Sequence, residues 1–175
     1  MRRTGLSCGA GNSARQDWPP HNFRLALALL LALPAMGQAA EACPWLNAAT
    51  ASGILGGPVA ITVTRANSGD DATCNFALRE GSLVQELRIE VGAMRSPAKD
   101  FASYVARCHS TAVPLKAIGN EALACSDGQL AEQVVGRVRD RAFLVRISTT
   151  DRSGQQTVLR DKVRKTAEQV AGILF

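Results

Sequence analysis

Four cysteines, Cys43, Cys74, Cys108 and Cys125, are the residues in this 175-residue chain with the most chemistry to offer. Thiol redox chemistry typically uses a C-x-x-C pair, in which a helix start lowers one thiol's pKa. No two of these cysteines are so spaced. Zinc sites assemble several Cys and His ligands at short spacing, and beyond residue 39 the only histidine is His109. No metal and no cofactor is therefore expected. His109 is placed next to Cys108 near the end of a predicted helix, where a cation suits the helix dipole better than catalysis would use it. A Ser-His-Asp arrangement would have to recruit Ser103, Ser110, Ser126 or Ser148, and no G-x-S-x-G turn presents any of them.

Glu86 and Glu90 could form a pair of carboxylates of the kind glycoside hydrolysis uses. They alternate with Leu87, Ile89 and Val91, which points both of them to solvent instead. The glycines of GILGGP follow a helix and precede a strand, the reverse of a phosphate loop, and read as a helix stop. Arg137, Arg139, Arg141 and Arg146 flank a turn at Asp140 and are expected as a cationic patch on the last hairpin, suited to an anionic partner. No catalytic residue emerges.

These residues need elements to hold them. Pro44 at a first helical position opens a predicted helix from Trp45 to Leu55, closed by Gly56, Gly57 and Pro58. VAITVTR alternates, TCNFALR puts Cys74, Phe76 and Leu78 on one face, and LVQELRIEV does the same for Leu87, Ile89 and Val91. Three consecutive strands make an antiparallel meander. Ser96 and Pro97 cap a second helix running from 98 to Cys108, with Phe101 and Val105 on its apolar stripe. NEALAC, QLAEQVVGRVR and AFLVRIST give three more strands after a loop through Pro114 and Gly119. Leu159, Val163, Val170 and Leu174 mark a closing helix.

The order is thus α-βββ-α-βββ-α, one supersecondary unit used twice without sequence identity. It predicts an α+β fold: an antiparallel sheet of about six strands covered by helices. Cys43 opens the first helix and Cys74 sits on the second strand; Cys108 ends the second helix and Cys125 sits on the fourth. The placement favours Cys43 with Cys74 and Cys108 with Cys125, out of three pairings that four cysteines allow.

The apolar run Leu25–Ala35 is shorter than the roughly 20 residues a spanning helix needs. It follows Arg2, Arg3, Arg15 and Arg24 and precedes the small residues Gly37 and Ala39, so residues 1–39 read as a signal peptide removed after Ala39. Cutting after Ala42 is the alternative. Glu41 stands inside what would be a lipobox before Cys43, which argues against lipid anchoring. Residues 40–175 then form a single disulfide-stabilised domain in an oxidising compartment, periplasmic or extracellular, with no transmembrane helix.

The whole chain carries 20 basic and 15 acidic residues, net +5; without Arg2, Arg3, Arg15, Arg24 and Asp17 it carries 16 and 14, net +2. That balance, with so few aromatic side chains, argues against nucleic acid as a partner.

Cys43 before a helix, ILGGPV at its end, Cys74 on a strand and AIGNEALAC after the second helix together resemble the small exported domains of unknown function in bacterial envelope lipoproteins. The resemblance covers about residues 43–174 and implies an antiparallel α+β sandwich; it transfers no catalytic residue. The chain is expected to be a non-enzymatic binding or interaction module of the cell envelope, its partner an unidentified protein or envelope component. The alternatives are an enzyme or redox protein with a site scattered through the sequence, and a small-ligand carrier.

Overall fold

The structure, a computed structural model, describes residues 42–65, 71–128, 130–153 and 156–175. The expected leader, residues 1–39, lies outside the described residues. Three helices and seven strands follow in the order α1 (Ala48–Leu55), β1 (Ala60–Arg65), β2 (Ala72–Glu80), β3 (Leu83–Ala93), α2 (Pro97–Val105), β4 (Val113–Leu115), β5 (Glu121–Ser126), β6 (Ala131–Val138), β7 (Arg141–Thr149) and α3 (Gln156–Leu174). The strands form one antiparallel sheet in the order β1-β2-β3-β7-β6-β5-β4. This is the α+β class read from the sequence.

The strand count differs from the expected six. Val113–Leu115 pairs with β5, Val113 opposite Ala124 and Leu115 opposite Ala122. Three residues centred on a proline carry no alternation that a sequence could show; Pro114 is tolerated because β4 is an edge strand. Cys125 accordingly lies on the fifth strand, not the fourth.

The helix boundaries also shift. α1 begins at Ala48, not at Trp45, because Asn47 supplies the cap: its side-chain oxygen accepts a hydrogen bond from the Thr50 N–H at 2.8 Å. Trp45 and Leu46 remain buried ahead of the helix. Gly56, at φ 95°, ends it, donating its N–H to the Ser52 carbonyl. At α2 the Ser96 side chain makes no cap; Asp100 reaches back instead and accepts the Ser96 N–H at 2.8 Å. α2 stops at Val105, leaving Cys108 in the turn beyond it.

Strand alternation sorts the core. Cys74, Phe76 and Leu78 of β2, Leu87, Ile89 and Val91 of β3, and Phe143, Val145 and Ile147 of β7 all point to one face, where α1 and α3 cover them. Leu159, Val163, Ala167 and Val170 are the buried stripe of α3. Each large side chain buried here contributes on the order of 1.5–3 kcal/mol. On the opposite face α2 packs Phe101 against Met94 and Ala142.

The last strands of the two halves, β3 and β7, meet antiparallel at the centre of the sheet, Ile89 opposite Val145. A two-fold through that junction would leave α1 and α2 on the same face. They lie on opposite faces, so the halves are not copies related by that rotation. The disulfides follow: Cys43–Cys74 ties the segment before α1 to one face, and Cys108–Cys125 ties the segment after α2 to the other. Among the described residues no helix is long and apolar enough to cross a membrane.

Candidate functional site

β6 opens with a carboxylate in phase with the core. Glu132 points to the same face as Val134 and Val138, and it is 1% exposed. Directly opposite it on β5 stands Ser126, whose hydroxyl donates to Glu132 Oε1 at 2.8 Å. The first half of α3 passes above. Gln156, Arg160 and Arg164, four residues apart, share one stripe of that helix. Gln156 Nε2 donates to Ser126 Oγ at 3.3 Å, and Arg160 Nη2 reaches Glu132 Oε1 at 3.4 Å. Arg164 pairs with Glu168 at 3.1 Å.

Ser126, Glu132, Arg160 and Arg164 line a cavity of about 200 Å³ together with Thr111, Val113, Leu115, Ala124 and Asp161. The short strand β4 therefore builds one side of the site. Its lining combines a buried carboxylate, two guanidinium groups, the hydroxyls of Ser126 and Thr111, and the apolar side chains of Val113, Leu115 and Ala124. Among the described residues the compensation at Glu132 is thin: one hydroxyl at close range and one long contact from an arginine side chain that is itself 56% exposed. Burying a carboxylate is costly unless it is paired and fully hydrogen-bonded. The lining holds no histidine, and Cys125 within it is disulfide-bonded. The arrangement can hold charges of both signs close together.

Larger depressions elsewhere among the described residues are more open. One of about 570 Å³ runs between α2 and the β5–β6 part of the sheet, and one of about 500 Å³ lies beside Trp45 and α3. Neither has a buried charged group at its base.

A second polar cluster sits on the α2 face. The carboxylate of Glu90 accepts from both Arg88 and Arg107, and its side chain is only 12% exposed. This departs from the expected solvent-facing Glu90, because Arg107, from the segment after α2, folds over it. Arg107 also lies 4.8 Å from the centre of the Tyr104 ring. Gly92 makes room for that ring: a Cβ there would stand 2.7 Å from the phenol oxygen.

Burial raises the pKa of Tyr104 above the usual 10.0; Arg107 opposes this, and Glu90, Asp71 and Asp100 reinforce it. Tyr104 is the only tyrosine in the chain, so phenolate absorbance reads it directly. The expected titration midpoint lies above 10.0 in the folded protein and returns to the ordinary value in urea. The folded state keeps the proton longer than the unfolded state, so the associated stability is fully present below pH 10 and is lost as pH rises through the folded pKa. A folded midpoint at or below the urea value would contradict this.

The four arginines of the last hairpin do not come together as one patch. Arg137 pairs with Glu121 at 3.1 Å and lies 6.0 Å from the Phe101 ring, while Arg146 pairs with Asp127 at 2.9 Å. Arg137 stands opposite Ala142 and Arg146 opposite Gln133, so four strand positions, about 13 Å, separate them. Arg139 occupies the turn at φ 54° and lies 6.0 Å from the Phe175 ring. Arg141 alternates to the other face of β7. His109 is exposed, its Nδ1 3.6 Å from an Asp127 carboxylate oxygen. Among the described residues no group of three or more His, Cys, Asp or Glu side chains is placed to hold a metal ion.

The sequence carries a signal for Glu132 that strand alternation alone does not expose as a site: a carboxylate two and six residues from Val134 and Val138, in phase with an apolar stripe. Comparison with protein-family models, with curated proteins and with solved structures finds no match for this chain.

Proposed function

We propose that this protein is an exported, non-enzymatic binding module of the bacterial cell envelope, and that it binds a small zwitterion of the α-amino-acid class at Glu132. The observation that carries the reading is a buried carboxylate that shares one small cavity with two arginines and the apolar side chains of Val113, Leu115 and Ala124. At about 200 Å³ the cavity is smaller than the roughly 300–1,000 Å³ of pockets for drug-sized ligands, which suits an occupant the size of one amino acid. The ligand ammonium meets Glu132 and Asp161, its carboxylate meets Arg160 and Arg164, and its side chain lies against Val113, Leu115 and Ala124. Export is supported by the leader-like N-terminus and by two disulfides, which persist in oxidising compartments. Membership of the small envelope domains of unknown function belongs to the same proposal.

Isothermal titration with L-leucine, L-leucinamide and 4-methylpentanoate tests it, since the last two each remove one charge. L-Leucine is expected to bind saturably, with each analogue at least about tenfold weaker, the loss of one charge-assisted hydrogen bond being worth roughly 1.5–3 kcal/mol. Equal binding of either analogue, or no heat with any of the three, overturns the reading.

A further inference from the structure

The two edges of the sheet are treated differently. β4 closes one side with three residues and a proline, which has no N–H to offer a neighbouring strand. β1 closes the other with six residues, AITVTR, and runs against β2 in unbroken register from Ala60 opposite Ala77 to Arg65 opposite Ala72. It carries no proline, no lysine and no bulge, three of the usual means of blunting an edge; its one charge is Arg65 at its end, in phase with Ile61 and Val63. Among the described residues no strand pairs with its outer side. Ile61 and Val63 are half-buried beside the main core, while Ala60, Thr62 and Thr64 on the other face are exposed.

We infer that β1 is a self-pairing surface: a second copy of this chain adds its own β1 antiparallel across a two-fold axis, with Thr62 opposite Thr62. The strand is complementary to itself in that register. Ile61 of each copy meets Val63 of the other on the core face, and on the open face Thr62 meets Thr62 and Ala60 meets Thr64, so large apolar pairs with large apolar and small with small. A one-residue slip would set Ile61 and Val63 against the opposite face of the partner strand. Sliding two residues one way places Ile61 opposite Arg65, and two the other way draws Pro58 into the ladder. The contact is isologous and closes after two copies, which join two seven-stranded sheets into one. It is also small. Interfaces below about 1,200 Å² belong to reversible associations, so a dimer that dissociates on dilution is expected.

The Thr62 pair at the axis makes the register testable without touching the core or the Glu132 cavity. Sedimentation equilibrium of the purified protein, over about 1 µM to 1 mM to span weak interfaces, is expected to show the mass doubling with concentration. Thr62→Lys and Thr62→Glu each place like charges face to face, and each variant is expected to remain a monomer throughout with an unchanged thermal midpoint. Mixed one to one, they are expected to restore the dimer, lysine opposite glutamate. A wild type that stays monomeric, single variants that dimerise as the wild type does, or a mixture that fails to associate overturns the inference.

Discussion

With Cys43 and Cys74 both replaced by serine, the protein is expected to lose about 4 kcal/mol of stability, against about 3 kcal/mol for the same change at Cys108 and Cys125. The difference follows from loop length. The first bridge closes a separation of 31 residues and the second one of 17, and the entropy removed from the unfolded chain grows with the logarithm of that length. Location widens the gap. Cys74 is fully buried, so serine there puts a hydroxyl into the core, and Cys43 anchors a segment whose Trp45 and Leu46 are also buried. Without the bridge, only packing holds those two side chains against the α1 face.

Against a typical stability of roughly 5–15 kcal/mol, either loss is a large share of the whole. Urea melts of the two double variants at matched m-values measure both, and a smaller loss for Cys43/Cys74 than for Cys108/Cys125 would reverse the argument. The same numbers bear on compartment. In a reducing environment the protein would forgo both contributions at once, so the two disulfides are consistent with an oxidising compartment.

Much of the sheet was legible because alternation is local. Cys74, Phe76 and Leu78, then Leu87, Ile89 and Val91, then Phe143, Val145 and Ile147 state in the sequence which face each strand buries. The closing helix was equally plain from Leu159, Val163 and Val170. What local pattern cannot carry is which strands become neighbours, or which side of the sheet a helix takes. The meeting of β3 with β7 brings together residues distant in the chain, Ala93 with Arg141 at one end and Gln85 with Thr149 at the other, and α2 goes to the face opposite α1 although both halves read alike. β4 escaped because Val113, Pro114 and Leu115 have no pattern of their own and take strand geometry only from β5.

The candidate site divides the same way. Glu132 was visible as a carboxylate out of keeping with its stripe, but Arg160 and Gln156 come from a helix about 28 residues later, and only the fold sets them above it. The hairpin arginines erred in the other direction. They are neighbours in sequence, yet strand alternation and nearby carboxylates at Glu121 and Asp127 distribute them over two faces.

Glu132→Met is expected to stabilise the protein by about 1 kcal/mol or more while weakening L-leucine binding at least about 30-fold. The two halves of that expectation have one cause. A buried ion pair replaced by an apolar side chain of similar volume is often neutral or stabilising by 1–4 kcal/mol, whereas removing one partner costs about 3–5 kcal/mol when the other is left charged and buried. Here the partner is not stranded. Arg160 is 56% exposed and returns to water, and Ser126 is only part-buried, so the hydroxyl proton it gave to Glu132 turns to water while it still accepts from Gln156. Methionine fills the space, which alanine would leave empty at an added cavity cost, so Met separates charge from packing.

Were Glu132 there to hold β6 beneath α3, the substitution would lower the urea midpoint and leave ligand affinity untouched. If it is there for a ligand ammonium, the carboxylate is a liability to the empty fold, and the gain in midpoint measures what the site costs. Stability and affinity then move in opposite directions on a single substitution, an outcome that a structural role for Glu132 does not produce.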